Sequence, residues 1–250
     1  MNKITLAIPF YNTSKYFLDC IRYSIDEDFV GEIVVNDDGS KEEEYLNLLN
    51  IIKKLNTDKI KVFKNQSNLG AFRNKYETVS KCSNEWIYLL DSDNYPFENT
   101  YNVIKSLDLS NLKIIYSPAK LYCKSDSQST YSTISDYNTF KYDIIGIEES
   151  KDAIIKRTKW FDWLINTGNY VINKNFYLES LEEPFQNYSN YKLYADTAAA
   201  FYFILKNGGS FKIVSNLYHN HRLRDDSYWN QCGDESMATV NLYSNMILDL

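Results

Sequence analysis

Asp91, Ser92 and Asp93 directly follow the apolar run Trp86-Ile87-Tyr88-Leu89-Leu90. Two carboxylates one residue apart at the end of a strand can share a hard divalent cation such as Mg2+ or Mn2+. That cation would bridge two phosphates of a nucleotide diphosphate, a polyanion that a chain of net charge −6 holds poorly by itself. A turn rich in Asp and Ser accounts for the same residues without a ligand, and the place at a strand end favours the metal reading. A second acidic cluster, Asp37-Asp38-Gly39-Ser40, closes another apolar run. Gly39 permits the turn and Ser40 with Glu43 makes a capping box. Two adjacent acids remain unexplained, one of which could accept a hydrogen bond from a base N–H. Asn68-Leu69-Gly70-Ala71-Phe72-Arg73-Asn74 sets a glycine and a cation at a helix start. Arg73 there is either solvated or aimed at phosphate or carboxylate. Both histidines, His219 and His221, fall in Tyr218–Arg224. Residues two apart on an extended strand share a face, so the two imidazoles can point together.

These residues need a scaffold, and the pattern of the chain supplies one. Strand-like runs at Ile4–Ile8, Glu32–Val35, Ile60–Phe63, Trp86–Leu90 and Leu112–Tyr116 alternate with helical spacing at Ser14–Ile25, Ser40–Leu55, Ala71–Lys81 and Thr100–Leu107. Alternation of this kind implies right-handed crossovers and a mostly parallel sheet covered on both faces, an α/β fold. Ligands of such sheets bind beyond the carboxyl ends of the strands. Pro9-Phe10-Tyr11-Asn12, Asp37-Asp38 and Asp91-Ser92-Asp93 all sit at such ends, on one rim. The second half reads as a loop or irregular strand over Leu121–Tyr142, a strand at Asn169–Ile172, a helix at Asp196–Lys206, a strand at Phe211–Val214 and a helical tail over Met237–Leu250. With no Pro/Gly/Ser linker, the reading is one continuous domain with two functional halves, 1–118 and 119–250.

Composition excludes several classes. A pI near 5.1 offers no basic excess for a nucleic-acid backbone. Cys20, Cys82, Cys123 and Cys232 form no C-x-x-C pair, which reads as reduced thiols in a cytoplasmic protein. No apolar run approaches the roughly 20 residues of a membrane span, and the N-terminus lacks a signal-peptide cleavage site. The C-terminal helix leaves open a peripheral contact with the inner face of the membrane or with a second subunit, although it lacks a basic face. Oligomeric state is not encoded. Aromatic residues make up 16% of the chain. Trp160, Phe161, Trp163 and the run Tyr188–Tyr194 suit either sugar faces or core packing.

The ordered series IPFYN, NDDGS, NLGAFRN and LLDSDN resembles the nucleotide-binding half of the inverting family 2 glycosyltransferases, over about residues 3 to 100. The resemblance implies the GT-A fold, a Rossmann-like nucleotide-binding half fused to an acceptor-binding half. It implies transfer of a sugar from a nucleotide-diphosphate donor, often a UDP-sugar, to a hydroxyl of a glycan or lipid-linked acceptor, commonly in cell-surface polysaccharide biosynthesis. By the same resemblance Tyr11 and Asp38 contact the base, Pro9 shapes its pocket, and Arg73 stands at the donor site. Asp91 lies by the ribose and a metal-bound water, with Ser92 between, and Asp93 ligates Mn2+ or Mg2+. The family's catalytic base is an Asp, usually after Glu, at a helix start in the second half. Ala195-Asp196 is the match, so Asp196 is the candidate base and the Glu is absent. An Asp at a helix start is also a favoured cap. A family pattern Tyr-x-Tyr-Arg-x-His-x-x-Ser aligns with His219, His221, Arg222, Arg224 and Ser227, so Arg224 stands where His is common. One imidazole would complete the metal site, with Arg222 or Arg224 over the diphosphate.

Two other readings stay open from the residues. A nucleotidyltransferase shares the need for nucleotide and metal but usually carries a Gly-rich basic loop after the first strand, which Pro9-Phe10-Tyr11-Asn12 lacks. A non-catalytic module of the same fold, binding nucleotide or glycan without turnover, is favoured only by Ala195.

Overall fold

The computed structural model describes residues 3–125, 131–135, 140–165, 167–187 and 196–250. Strand β1 (Ile4–Phe10), strand β2 (Val30–Asp37) and strand β4 (Trp86–Leu89) are nearly continuous apolar runs, and almost every residue in them is buried. Runs of that kind belong to strands covered on both faces. They pair in parallel, β2 and β4 flanking β1, and strand β3 (Ile60–Lys64) adds to the far side of β2. Side chains alternate across the sheet: Leu6 and Ile8 enter one apolar layer with Phe17, Leu48 and Ile104, while Ala7 enters the other with Phe72 and Val79. The first layer is closed by helices α1 (Phe17–Cys20), α2 (Glu42–Leu55) and α4 (Thr100–Lys105). The second is closed by α3 (Ala71–Ser80) and by helices of the second half.

The sheet runs on without a break. Strand β8 (Tyr170–Asn173) lies antiparallel to β4, and β5 (Ile114–Ser125) follows it. Then come β9 (Ser210–Leu223) and β7 (Ile144–Ile145), with β6 (Tyr131–Ser135) paired to β5, giving the order β3-β2-β1-β4-β8-β5-β9-β7 among the described residues. The sheet is therefore parallel in its first half and mixed beyond β4. Residue 118 falls inside β5, so the two halves share one sheet rather than meeting at a hinge. Helices α5 (Ile147–Ile155), α6 (Lys159–Leu164), α7 (Lys174–Asn187), α8 (Asp196–Lys206) and α9 (Tyr228–Leu248) complete the second half. None of the described helices is long and apolar enough to cross a membrane.

Two local expectations change, and two open readings resolve to one alternative. The helix expected over Ser14–Ile25 is a 3-10 turn at Ser14–Tyr16 followed by four-residue α1, because short-range bonds such as Ser24 N–H to Ile21 O take over. The capping box does not form: α2 begins at Glu42, and the Ser40 hydroxyl accepts from Asn12 N at 2.9 Å instead. Lys41 N in turn donates to Asn12 Oδ1, so the pair ties the exit of β1 to the start of α2. The irregular stretch over 121–142 contains the end of β5 and all of β6; its pairing partner β9 is remote in sequence, so local pattern is silent about it. Trp160, Phe161 and Trp163 lie in the core on α6. The Tyr188–Tyr194 run lies outside the described residues.

Candidate active site

Strand order puts the ends of β2, β1 and β4 side by side, and the acidic clusters follow from them. Tyr11 leaves β1 with 47% of its surface exposed, beside half-buried Pro9. Asp38 N donates to Phe10 O at 2.8 Å, which fixes the exit of β2 against that of β1. The Asp38 carboxylate is buried and receives three hydrogen bonds, from Leu69 N (2.9 Å), Gly70 N (3.0 Å) and Asn65 Nδ2 (2.9 Å). It thereby folds the Asn65–Gly70 loop onto the rim. Burial pushes the Asp38 carboxyl upward, against the pull of those donors.

The loop after β4 is held from three directions. Asp91 N donates to Asn169 Oδ1 (2.8 Å), and the Ser92 hydroxyl meets Thr13 Oγ1 (2.7 Å) from the exit of β1. Asn94 Oδ1 accepts from Arg222 N (3.0 Å), and Tyr95 pairs with Asn220, so β9 reaches back to the same loop. Asp93 Oδ2 lies 3.0 Å from Arg224 Nη1, and Asp93 O accepts from Arg222 Nε at 3.2 Å. Arg222 also pairs with Asp19 (3.0 Å) and lies 4.3 Å over the Tyr16 ring. Arg224 is anchored a second time by Asp226 at 2.8 Å. Both guanidiniums are held in place, Arg224 at the Asp93 carboxylate and Arg222 at the Asp93 backbone carbonyl.

The histidines face one way, as the strand period requires, with ring centroids 5.5 Å apart. Their surroundings differ. His219 is fully enclosed, with Asn169 Nδ2 at 2.5 Å from its Nε2 and the Thr167 hydroxyl at 3.3 Å from its Nδ1. Burial holds it well below the usual histidine range. His221 is half-buried; burial lowers it too, while the charge of Asp93 pulls the other way.

Asp196 is the first residue of α8 and keeps 19% of its side-chain surface exposed. Its Oδ2 lies 2.6 Å from Lys75 Nζ, and the same ammonium lies 3.0 Å from Asp91 Oδ1. Burial works against the Lys75 charge, but Asp196 and Asp91 outweigh it and push the lysine pKa up. Burial pushes Asp91 up to about 6, Lys75 pulling down while Asp196 and Asp93 push further up. Lys75 was not among the residues singled out from sequence, although a signal exists. On α3 the buried positions are Phe72, Asn74, Lys75, Thr78 and Val79, so a lysine occupies the buried stripe of the helix. A buried ammonium requires anionic partners.

Arg73, two positions earlier, points elsewhere. It pairs with Glu77 (2.8 Å) and lies 4.6 Å over the Phe185 ring of α7. Gly168 completes the site beneath the lysine. A Cβ there would lie 2.8 Å from Asp91 Oδ2 and 3.2 Å from Lys75 Nζ, and its φ of +68° is itself unfavourable for any side chain.

The structure thus brings Asp91, Ser92, Asp93, Asp196, His219, His221, Arg222 and Arg224 into one connected network, with Pro9, Tyr11 and Asp38 on the neighbouring strand ends. Known proteins share this fold. Over its full length the chain is similar to the glycosyltransferase GlyG of Streptococcus pneumoniae serotype 4, 24% identical over 255 residues, covering 98% of this chain and 80% of that protein. Its fold matches Staphylococcus aureus TarS 1-349 solved with UDP-GlcNAc, with a TM-score of 0.65 at 16% identity over 99% of this chain and 67% of that one. GalNAc-T7 with UDP, GalNAc and Mn2+ superposes with a TM-score of 0.63 at 18% identity, over 89% of this chain and 43% of that one. The family model for glycosyl transferase family 2 matches residues 5–163, more than half of the chain. With the sheet order, the acidic loop at its rim and that match in hand, the chain belongs to glycosyl transferase family 2 and is a glycosyltransferase of GT-A fold.

Proposed function

We propose that this glycosyltransferase moves a sugar from a UDP-sugar to a hydroxyl of a glycan or lipid-linked acceptor with inversion at the anomeric carbon, and that Asp196 is the base. The observation that carries the reading is the meeting of Asp91, Asp93, Asp196 and Arg224, drawn from three elements, at the rim where ligands of parallel sheets bind. Asp196 takes the proton of the acceptor hydroxyl as that oxygen forms its bond to the anomeric carbon. The bond from that carbon to the diphosphate oxygen breaks on the opposite face, and its electron pair leaves with the nucleotide. Tyr11, exposed at the end of β1, offers a flat face to the base. Arg222 and Arg224 set two fixed positive charges beside the departing diphosphate, where charge grows in the transition state.

The donor set suits Mn2+ or Mg2+. Asp93 would supply oxygen and neighbouring His221 nitrogen, while enclosed His219 is engaged with Asn169 and Asp91 with Lys75. Among the described residues no three His, Cys, Asp or Glu side chains cluster closely enough to hold a metal alone, so diphosphate oxygens and water would complete the shell. A cation bound there supplies Lewis-acid stabilisation of the leaving group. TarS with UDP-GlcNAc and GalNAc-T7 with UDP and Mn2+ support this class of donor and metal.

The test is Asp196→Asn, assayed for transfer and for donor binding by calorimetry over a panel of nucleotide sugars. The expected result is a loss of kcat of at least roughly 100-fold with donor affinity retained. Transfer at the wild-type rate would remove Asp196 from the reaction.

A further inference from the structure

We infer that Lys75 is a positioning residue for catalysis, the single ammonium that locks the donor-side carboxylate Asp91 and the acceptor-side carboxylate Asp196 into one fixed geometry; this rests on Asp196 being the base. Its two ion pairs, 3.0 Å and 2.6 Å, connect the end of β4 to the start of α8, elements that the chain separates by more than a hundred residues. No other described cation pairs with either carboxylate, and Lys75 keeps only 10% of its side-chain surface. An ammonium enclosed this far is fixed by its surroundings, because charge leaves water only where opposite charge meets it.

The neighbourhood is shaped for this bridge. Gly168 lies against two of its members and the residue beside the third: its missing Cβ would meet Asp91 Oδ2, Lys75 Nζ and Thr197 Oγ1 within 3.4 Å. The small space beside the lysine, lined by Tyr170, Tyr177, Phe201 and Phe211, is mostly apolar and offers the ammonium no charged partner besides Asp196. Lys75 therefore has one stable place, between the carboxylates. Asp196 gains from it an orientation that a helix-start aspartate on a mobile side chain lacks, and reactions that depend on a base within hydrogen-bond reach are sensitive to that orientation. Lys75 approaches the donor only through Asp91. Its effect belongs in kcat rather than in donor KM.

The test compares Lys75→Met and Lys75→Arg with the Asp196→Asn variant and the Lys75→Met/Asp196→Asn double variant, measuring kcat, donor KM and the thermal midpoint of each. Expected for Lys75→Met is a fall in kcat of roughly 100-fold with donor KM within about threefold, and partial recovery in Lys75→Arg. The double variant should be no slower than Asp196→Asn, since Lys75 acts through that carboxylate. Three results would overturn the inference: kcat of Lys75→Met within about threefold of wild type, a change confined to donor KM, or losses that multiply in the double variant. If Asp196→Asn alone keeps full activity, the base assignment fails first, whatever Lys75 does. Should Lys75→Met not fold, Lys75→Arg and the Lys75→Arg/Asp196→Asn double variant decide: a kcat below wild type but above Asp196→Asn, with no further loss in the double variant, supports the bridge, and an unchanged kcat or losses that multiply in the double variant overturn it.

Discussion

Arg224 Nη1 lies 3.0 Å from Asp93 Oδ2, so the second carboxylate of the acidic loop already holds a guanidinium. Charge-assisted pairs of this geometry are strong when partly desolvated. Under the proposed function Arg224 supplies positive charge to the diphosphate, and a cation at Asp93 would share that carboxylate with it. In chelator, UDP should bind Arg224→Ala roughly tenfold more weakly than wild type, and millimolar manganese should restore more affinity in the variant than in wild type. Titration calorimetry reads both. Equal UDP affinity in the two proteins under both conditions would remove Arg224 from the donor site.

Asp91 titrates at about 6 because burial and its acidic neighbours outweigh Lys75. An ordinary Asp titrates near 3.9. The folded state therefore binds the extra proton more tightly, and the stabilisation from this group is complete below about pH 4 and lost as pH rises through about 6. At neutral pH Asp91 is ionised beside Asp196 and Asp93 at some cost. Asp91→Asn should raise the melting temperature by a few degrees near pH 7.5 and give no gain near pH 4, while transfer falls sharply. Calorimetry at the two pH values checks the sign; a gain at the acidic pH alone would contradict it.

Gly168→Ala tests how tightly the carboxylate–lysine bridge is packed. The added methyl would lie 2.8 Å from Asp91 Oδ2 at a backbone φ of +68°. Strain of that kind costs on the order of 1–3 kcal/mol. Chemical denaturation should show that loss together with a reduced kcat. A variant as stable and as active as wild type would mean that the site relaxes freely.

Glu32 contributes to acid stability from the opposite end of the strands, where it meets Thr5 and Ser83. Burial pushes its carboxyl up, yet Lys61 (2.6 Å), Thr5 (2.6 Å) and two donors of Ser83 hold it at about 2. A lowered carboxylate stabilises the fold above the unfolded pKa and loses that contribution as pH falls from about 4.5 to about 2. Lys61 is half exposed, so solvent screening trims the effect to roughly 1–2 kcal/mol. Glu32→Gln should lower the neutral-pH melting temperature and flatten the acid limb of the stability curve. An unchanged acid limb would assign that limb to other groups.

Much of the first half was legible because its signals are local. Trp86 to Leu89 is a buried strand because every side chain in it is apolar, and a turn of Asp and Ser must follow where the sheet ends. Asp196 was legible as the start of a helix for the same reason, since helix starts favour Asp and the apolar run behind it is continuous. The β5–β9 pairing was not, because its two strands are about ninety residues apart and nothing in either run names the other. Ser40 illustrates the limit in small: the spacing to Glu43 is correct for a cap, yet the hydroxyl found a better partner in Asn12.

The residues by themselves determined that acids would gather where strands end, since apolar runs fill the sheet and polar turns must follow them. They also determined that α3 would carry a lysine in its buried stripe, because the helical period places Lys75 beside Phe72 and Val79. Only the tertiary structure decided which acids that lysine meets. Asp91 and Asp196 come together because β8 inserts beside β4 and α8 begins against the same rim, and an ion pair between remote segments depends on distance in space, which no local pattern encodes.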